Sequence, residues 1–469
     1  MIRTRIAPSP TGKDLHIGNL YTALINWVFA KKNKGKFIVR IEDTDRQRLI
    51  LGAEKQILKT LKDFGLEADE DPEKGGPFAP YRQSERINLY QKYAHQLVEK
   101  GFAYYCTCSK KRLEKLRKEQ QEKKQIPRYD GHCRNLNLSR SYLENKKISY
   151  VIRLKVPKDK KIVVNDLIRG QIVFKSNDLD DQILLKSDGF PTYHLAVVID
   201  DYFMQISHVI RAEEWLSSTP KHILLYQAFD WPLPIFCHLP ILRNPDRSKL
   251  SKRKNPVWAS CYLKKGFLPQ AVLNYLALMG WSHPKQKEIF DLKEFTDVFE
   301  LKDIQVVGPA FDLVKLEWLN GEWLRKTNNS KLKNQVIEYY QKYHNKNLNH
   351  NLVKRIIPLV KERMKKLSDF WFYSQFFFEE PNVDTSIIKN IPYLKDIYQS
   401  LLTIKDWKAK KIGQSMQKLV KKLGVKTGDF FMNLRVIITG KEISPPLNES
   451  MEVLGKKKCL ERVKKIIKN

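Results

Sequence analysis

Residues 3–24, RTRIAPSPTGKDLHIGNLYTAL, constrain the fold of this chain more than any other stretch of its sequence. The β-branched run at 4–6 predicts a strand, which the prolines and glycine of PSPTG cannot continue. From Gly18 an apolar pattern with a period of about 3.6 residues predicts a helix that ends near Lys31. A strand, a tight loop and a buried helix in this order offer backbone N–H groups and a positive helix dipole to a phosphate.

Side chains that can meet a phosphate also lie in this loop. They are the hydroxyls of Ser9 and Thr11, the imidazole of His16 and the guanidinium of Arg5. An ordinary βα turn with a surface histidine would look the same, so the segment needs support from elsewhere in the chain. That support comes from residues 242–254, LRNPDRSKLSKRK, whose closely spaced cations suit the neutralisation of charge on a phosphate group. Taken alone, this second segment could be a solvated basic patch.

The two segments together resemble the paired HIGH and KMSKS motifs of the class I aminoacyl-tRNA synthetases. They read His16-Ile17-Gly18-Asn19 and Lys249-Leu250-Ser251-Lys252-Arg253. Further passages narrow the resemblance to the glutamyl-tRNA synthetases over nearly the whole chain: RIAPSPTG, FIVRIEDTD, YRQSERINLYQKYA, LLKSDGFPTYHLA, VIRAEEWLSSTPKH and LRNPDRSKLSKRK. The resemblance implies ATP-dependent attachment of L-glutamate to tRNA(Glu) through a glutamyl-adenylate, with release of AMP and pyrophosphate.

The same resemblance implies an α/β fold and its division into domains. A Rossmann-type class I synthetase catalytic domain with an inserted α+β acceptor-binding domain is followed by an all-α anticodon-binding region. The implied parts are the first catalytic half at 1–102, the acceptor-stem insertion with a candidate zinc knuckle at 103–190, the second catalytic half with the KLSKR loop at 191–260, a helical stem-contact domain at 261–325, and helical anticodon-binding domains at 326–380 and 381–469. The apolar run at 191–200 is expected to open the second half of the sheet.

Site residues follow from matching the family's motifs to this sequence. The implied catalytic residues are His16, Gly18, Lys249, Ser251, Lys252 and Arg253. The implied ATP-binding residues are Pro8, Ser9, Thr11, Gly12, His16, Glu214, Trp215, Leu250 and Lys252. The implied glutamate-binding residues are Arg5, Ser9, Glu42, Tyr193 and Arg211. A guanidinium can clamp the γ-carboxylate bidentately and an acidic side chain can receive the ammonium group. We therefore assign Arg211 to the γ-carboxylate, with Arg5 able to share that task. Tyr193 and Trp215 could equally be packing aromatics.

Three cysteines have the spacing of thiolate ligands in a tetrahedral zinc site: Cys106, Cys108 and Cys133. The resemblance implies Tyr129 as the fourth ligand, although His132 is the better ligand chemically. Some family members carry a histidine two residues after the last cysteine, where this chain has Asn135. One Zn²⁺ is expected, and reduced thiols without a metal remain the alternative.

The charge balance favours a polyanionic partner. Lys plus Arg outnumber Asp plus Glu by 85 to 52, a net charge of +33, although a lysine-rich genome would also produce this excess. No apolar run approaches the roughly 18 residues of a membrane span, and the cysteines do not form a disulfide framework. We expect a cytoplasmic monomer without a membrane partner, which binds tRNA(Glu), L-glutamate and ATP with Mg²⁺.

The C-terminal part reads as almost wholly helical, with one helix predicted over 352–367. Arg355 and Arg363 are eight residues apart in it and would lie near one side of that helix. The resemblance implies that both bind the anticodon and that Arg363 rejects the glutamine anticodon. Three alternatives stay open: a non-discriminating synthetase that also glutamylates tRNA(Gln), a shorter paralogue that modifies a tRNA base, and a non-catalytic RNA-binding protein on a synthetase scaffold. The intact basic motif and the long helical region argue against the last two.

Overall fold

The computed structural model describes residues 1–248, 250, 257–384 and 391–468. Lys249, Ser251, Lys252 and Arg253, which the sequence assigns to catalysis, lie outside the described residues. The chain divides into two compact units, one formed by Met1–Cys261 with Leu273–Asp312 and the other by Tyr262–Val272 with Leu313–Asn469. This division does not test the six parts implied by the resemblance, which stay a prediction.

The strands of the first unit are β1 Arg3–Ile6, β2 Lys36–Val39, β3 Ala103–Cys106, β4 Val151–Leu154, β5 Lys161–Asp166, β6 Gly170–Lys175, β7 Ile183–Leu185, β8 His208–Ala212 and β9 Ile235–Leu239. β1 pairs in parallel with β2, and β8 pairs in parallel with β9. The Ser207 N–H donates to the Arg3 carbonyl at 3.0 Å, so β1 lies beside the start of β8. Parallel strands joined through helices form the expected Rossmann-type catalytic core.

The helices of the first part of the chain are α1 Ile17–Lys32, α2 Ala53–Asp63, α3 Ile87–Glu99, α4 Lys110–Glu122, α5 Arg140–Asn145, α6 Tyr193–Phe203, α7 Thr219–Ala228, α8 Ala259–Lys264, α9 Pro269–Ala277 and α10 Leu292–Val298. Helix α1 buries Leu20, Leu24 and Val28 completely and packs on β1 and β2. This burial confirms the helix that the apolar pattern predicts and fixes its N-terminus at the end of β1.

Residues 191–200 were expected to open the second half of the sheet, but from Tyr193 onward they form helix α6, and the strand of that half is β8. Every side chain from 195 to 199 is buried. Helices and strands are told apart in a sequence by the spacing of their apolar residues. A short run that is apolar throughout shows no such spacing, so it is compatible with either a strand or a helix.

In the sequence, the two halves of the parallel core are separated by an insertion that forms a three-stranded antiparallel sheet, with strand order β3-β4-β7. The adjacent hairpin of β5 and β6 joins the sheet of β8 and β9, in the order β6-β5-β9-β8. Asp166, at the end of β5, is in register with Phe236 of β9. The hairpin therefore brings an aspartate beside β9, where its carboxylate accepts a hydrogen bond from the His238 N–H at 3.0 Å.

The second unit is helical throughout its described residues. Its helices are α11 Leu313–Lys326, α12 Asn329–His344, α13 His350–Val360, α14 Asp369–Phe378, α15 Leu394–Thr403, α16 Ala409–Leu423, α17 Thr427–Thr439, α18 Leu447–Leu454 and α19 Lys456–Lys468. Two apolar clusters hold it together, one around Val336 and Ile357 and the other around Ile397 and Phe430. Among the described residues, no helix has both the length and the apolar character that crossing a membrane requires.

The helix predicted over 352–367 is shorter than expected. Helix α13 ends at Val360, and a 3₁₀ turn, Lys361–Arg363, follows it. The last turn of a helix often tightens in this way, and Pro358 offers no N–H to the regular hydrogen-bond pattern. Arg355 and Arg363 therefore do not share one helix, and the prediction of a common helical side was wrong.

Candidate active site

His16 is the N-cap of α1. Its backbone is extended (φ −68°, ψ 144°), and its Nδ1 accepts a hydrogen bond from the Gly18 N–H at 3.0 Å. A Cβ at Gly18 would lie 3.2 Å from that nitrogen, so the position favours glycine. Because Nδ1 accepts a hydrogen bond, a neutral imidazole carries its proton on Nε2. His16 therefore combines a helix cap with a donor at the N-terminus of a buried helix.

The segment that follows the basic motif is fixed to the first motif. The Ile17 N–H donates to the Val257 carbonyl at 2.7 Å, and His16 forms an antiparallel bridge with Trp258. A Cβ at Gly12 would lie only 2.7 Å from the Trp258 ring, so this close approach requires a glycine. The first loop and the end of the basic loop are thus packed as one layer.

A cleft opens at this point, at the carboxyl ends of β8 and β9. Its lining residues are His16, Gly18, Asn19, Tyr21, Thr22, Ala212, Glu214, Pro240, Ile241, Leu242 and Leu250. Leu250 belongs to the basic motif and is 3% exposed. Leu250 and Val257 precede and follow residues 251–256 in the sequence, and both lie against the first motif. Such a crevice at a helix N-terminus is where open α/β sheets bind nucleotides.

The cleft gathers His16, Glu214 and Leu250 from the predicted ATP-binding set. Trp215 lies against Tyr193 instead, with ring centroids 4.1 Å apart. Sequence reasoning missed Tyr21, whose buried hydroxyl has no hydrogen-bond partner among the described residues. A tyrosine within the apolar pattern of α1 predicts only core packing, so its polar atom could not be assigned from the sequence.

The loop before His16 also reaches the end of β2. The Glu42 N–H donates to the Pro8 carbonyl at 3.1 Å, and Ser9 beside it is exposed. Thr11 and Gly12 are half-buried. The PSPTG loop is therefore tied to the backbone at the end of β2.

Arg211 of β8 is buried, and its guanidinium is held by uncharged partners. Nε donates to His238 Nε2 at 3.1 Å and one Nη donates to the Tyr193 hydroxyl at 3.1 Å. The other Nη donates to Thr219 Oγ1 at 2.9 Å and to His222 Nδ1 at 3.2 Å. Burial lowers the pKa of Arg211. Arg211 and Tyr193, both predicted to bind glutamate, are thus in contact, while Thr219, His222 and His238 were missed.

Arg5 has a different environment. Its Nε and one Nη both donate to the Asp201 carboxylate at 3.0 Å, and both side chains are buried. Arg40, which is fully buried, donates to the same carboxylate at 2.7 Å and to Glu42 at 3.2 Å. The charge of Arg5 is therefore already compensated inside the protein. Sequence reasoning missed Asp201 and Arg40, because nothing in an apolar helix or a short strand marks a buried charge.

Glu42 lies next to this network. Burial raises the pKa of Glu42 to about 7, although the positive charge of Arg40 opposes the rise. A cationic group placed beside the carboxylate would restore its ionised form. The position therefore suits the recognition of an ammonium group.

Three thiols converge in the insertion. The ligand atoms of Cys106, Cys108 and Cys133 all lie within 4.8 Å of one another. The Tyr129 hydroxyl is 3.4 Å from Cys106 Sγ and 3.5 Å from Cys108 Sγ, whereas His132 is exposed and outside this cluster. Three converging thiols are ligands that Zn²⁺ prefers, and the Tyr129 hydroxyl lies beside them where a fourth ligand is needed. Of the two candidate fourth ligands, the structure brings Tyr129 to the thiols.

Arg355 and Arg363 lie in the second unit, on α13 and in the turn after it. Arg355 donates to the Glu452 carbonyl at 3.1 Å. Arg363 is exposed, and its charge adds to burial in lowering the pKa of Arg435 on α17. The guanidinium groups of Arg363 and Arg435 therefore repel each other. An anion bound between them would offset this repulsion.

Comparison with known proteins gives the same picture along the whole chain. A model of the catalytic domain of class I tRNA synthetases (E and Q) matches residues 1–318, and a model of an anticodon binding domain matches residues 331–467. The glutamate–tRNA ligase of Dehalococcoides mccartyi is 43% identical over 98% of this chain and 97% of its own length. That of Fusobacterium nucleatum is 42% identical over 100% of this chain and 97% of its own. A crystal structure of a glutamate tRNA ligase from Elizabethkingia meningosepticum in complex with its amino acid covers 100% of this chain and 99% of its own, with 35% identity and a TM-score of 0.90.

Proposed function

The chain belongs to the glutamate–tRNA ligases, a family of class I aminoacyl-tRNA synthetases, and we propose that it activates glutamate in the cleft at the N-terminus of α1. The reaction attaches L-glutamate to tRNA at the expense of ATP. The observation that carries the proposed location is that Leu250 of the basic motif lines the cleft with His16, and that Val257, a few residues later, bonds to Ile17.

Two steps account for the reaction. An oxygen of the glutamate α-carboxylate attacks the α-phosphorus of ATP, and pyrophosphate leaves with the electrons of the broken P–O bond. A ribose hydroxyl of the terminal tRNA adenosine then attacks the mixed anhydride, which releases AMP. Mg²⁺ carried by ATP offsets phosphate charge, and in our proposal Lys249, Lys252 and the His16 Nε2–H do the same for the developing charge. Catalysis of this kind needs placement and charge stabilisation rather than a protein nucleophile.

Glutamate is proposed to lie between the two buried charge systems next to the cleft. Arg211 receives the γ-carboxylate, since its own partners are uncharged, and Tyr193 supports it. Glu42 receives the ammonium group. Arg5 acts indirectly: it binds Asp201, Asp201 also binds Arg40, and Arg40 in turn donates to Glu42 and orients it.

Replacing His16 by asparagine separates its two roles. Asparagine is a good N-cap and can still accept from the Gly18 N–H, whereas it lacks the Nε2–H donor. We expect an unchanged thermal unfolding midpoint and a roughly 10²-fold fall in ATP–pyrophosphate exchange. His16→Ala is the comparison, because it should lose exchange and also about 1 kcal/mol of stability. Normal exchange in the asparagine variant would remove the donor role.

Aminoacylation with purified tRNA(Glu) and tRNA(Gln) tests the function and its alternatives in one assay. We expect glutamate to be attached to tRNA(Glu) and not to tRNA(Gln). Equal glutamylation of both tRNAs would indicate a non-discriminating enzyme. Absence of glutamylation of either tRNA, in a folded protein, would favour the non-catalytic paralogue.

The choice between the two tRNAs is proposed to depend on Arg363, with Arg355 as a second anticodon contact. This proposal is supported by the exposure of Arg363 and by its proximity to Arg435. Arg363→Gln should relax selection against tRNA(Gln), by roughly tenfold in the ratio of kcat/KM for the two tRNAs, because one charged contact to a base is lost. The matched control is Lys361→Gln, which removes a charge from the same 3₁₀ turn. An unchanged ratio in Arg363→Gln would remove the assignment.

The thiol cluster is proposed to hold one structural Zn²⁺, with Cys106, Cys108, Tyr129 and Cys133 as its ligands. When bound, the ion would cross-link the strand end at β3 to the segment after α4. Metal analysis of the purified protein should find about one zinc per chain. Cys108→Ser should lose most of it, while Cys261→Ser, which lies outside the cluster, should keep it. Zinc-free wild-type protein that is stable and active would favour the alternative of unmetallated thiols.

We further propose that the protein works as a monomer in the cytosol. The support for the compartment is the cysteines, all six of which are unpaired, as a reducing environment requires.

A further inference from the structure

The three buried arginines near the glutamate position differ in how their charge is balanced. Arg5 and Arg40 both form ion pairs with Asp201, at 3.0 Å and 2.7 Å. Among the described residues, no carboxylate lies within ion-pair distance of Arg211. Arg211 is nonetheless as buried as the other two, at 5% exposure. A buried cation with only neutral partners is costly unless a further group supplies the balancing charge.

The hydrogen bonds of Arg211 show that its neighbours are neutral. A guanidinium only donates, so the ring nitrogens that face it must each carry a lone pair. His238 Nε2 is such an acceptor, and its Nδ1 lies 2.6 Å from Asp166, to which it donates. His222 Nδ1 is the second acceptor, and its Nε2 donates to His194 Nδ1 at 3.0 Å. These contacts are all satisfied when His238 carries its proton on Nδ1 and His222 carries its proton on Nε2.

The environment keeps these histidines uncharged. Burial, followed by the charge of Arg211, holds the pKa of His222 well below its usual value. Burial also lowers the pKa of His194 to about 3. The pKa of His238 is lowered as well, because burial outweighs the attraction of Asp166. Thr219 contributes a hydroxyl, which cannot carry charge. Hence the cation of Arg211 is held in place without being neutralised.

We propose that His222 and Thr219 determine the selection of an acidic over an amide side chain, by holding Arg211 with uncharged acceptors. The proposal rests on the proposed function, in which Arg211 receives the γ-carboxylate. A glutamine side chain offers its carbonyl oxygen to a guanidinium, so hydrogen bonding alone would not reject it. Glutamate alone supplies the negative charge that the buried Arg211 lacks. A carboxylate built into the protein beside Arg211 would take over that function and repel the substrate carboxylate.

His222 allows a test with two variants of nearly equal volume. In His222→Gln the side chain can still accept from Arg211 and donate to His194, whereas His222→Glu adds a negative charge at the same place. The measurement is kcat/KM for glutamate and for glutamine in ATP–pyrophosphate exchange with tRNA(Glu) present. We expect the glutamate-to-glutamine ratio to fall roughly 10²-fold in His222→Glu and to stay within about threefold of wild type in His222→Gln. The KM for ATP should stay the same in both.

Thr219 gives an independent pair in case a charge at position 222 prevents folding. Thr219→Asp and Thr219→Asn are similar in size, and both suit the first residue of α7. The aspartate variant should lose selectivity and the asparagine variant should keep it. Equal ratios within each pair of folded variants would overturn the proposal.

Failure of this inference can be told apart from failure of the proposed glutamate site. If Arg211→Gln loses glutamate activation while His222→Glu keeps wild-type selectivity, Arg211 binds the carboxylate but its neutral partners do not set the choice. If Arg211→Gln activates glutamate normally, the site itself is wrong.

Discussion

Replacing Arg211 by glutamine should lower kcat/KM for glutamate roughly 10³-fold and leave the KM for ATP unchanged. Loss of one member of a buried charge pair costs about 2–5 kcal/mol, and 10³-fold corresponds to about 4 kcal/mol. The cost falls on glutamate, because its γ-carboxylate would be buried without a counter-charge. ATP is proposed to bind in the cleft at His16. Arg211 does not line this cleft, so the substitution should not affect ATP binding.

The effect is measured by ATP–pyrophosphate exchange in the presence of tRNA(Glu), with glutamate and ATP varied separately. Arg3→Gln is the matched control, since Arg3 is equally buried but pairs with Glu70 at 2.7 Å. That control should lower the unfolding temperature and leave the KM for glutamate unaltered. A similar rise in the KM for glutamate in both variants would mean that Arg211 acts only through stability.

Lys252→Ala should reduce ATP–pyrophosphate exchange roughly 10²-fold or more while glutamate binding survives. The lysine is proposed to stabilise the charge that develops as pyrophosphate leaves, and losing one such donor has about this cost. Lys252 itself lies outside the described residues, so the placement of its neighbours supports the prediction. Leu250 lines the cleft, and Val257 accepts a hydrogen bond from Ile17.

Glutamate binding to the Lys252→Ala variant can be followed by calorimetry, independently of the exchange rate. Lys55→Ala, at an exposed position of α2, controls for the loss of one positive charge. Near-normal exchange in Lys252→Ala would overturn the role given to the basic loop.

The parts of the fold that the sequence predicts well are those with a strong local period. Helix α1 was expected from Gly18 to about Lys31 and spans Ile17–Lys32. Residues 191–200 were predicted wrongly because a run buried on every side has no period. The end of α13 at Val360 was missed because a single 3₁₀ turn is too short to change the spacing of apolar residues in the sequence.

The site was predicted only where a motif marks it. Arg211 and Tyr193 were identified through the family, but further acceptors of Arg211 come from α7 and β9, two elements that carry no motif for this role. Only the folded sheet brings them together. Asp166 was missed for the same reason, since the β5–β6 hairpin had to join β9 first.

The charge network around Arg5 could not be read from the sequence either. Its central carboxylate, Asp201, lies on α6, the segment whose secondary structure was predicted wrongly. An aspartate that follows an apolar run usually marks the point where the chain returns to the surface. Asp201 is instead only 3% exposed, because α6 packs against the rest of the core. By contrast, the cysteines of the thiol cluster could be found from the sequence, because two cysteines one residue apart with a third downstream are a recognisable pattern of metal ligands.

A crystal structure with a non-hydrolysable glutamyl-adenylate analogue, in which a sulfamoyl group replaces the phosphate, tests the central claim most directly. The claim is that the cleft holds the nucleotide at His16 and that the glutamate side chain extends beyond it to Arg211. We expect the γ-carboxylate within hydrogen-bond distance of the Arg211 guanidinium and the sulfamoyl group beside the N-terminus of α1. An analogue bound with its side chain away from Arg211, or outside the cleft lined by His16 and Leu250, would contradict the account.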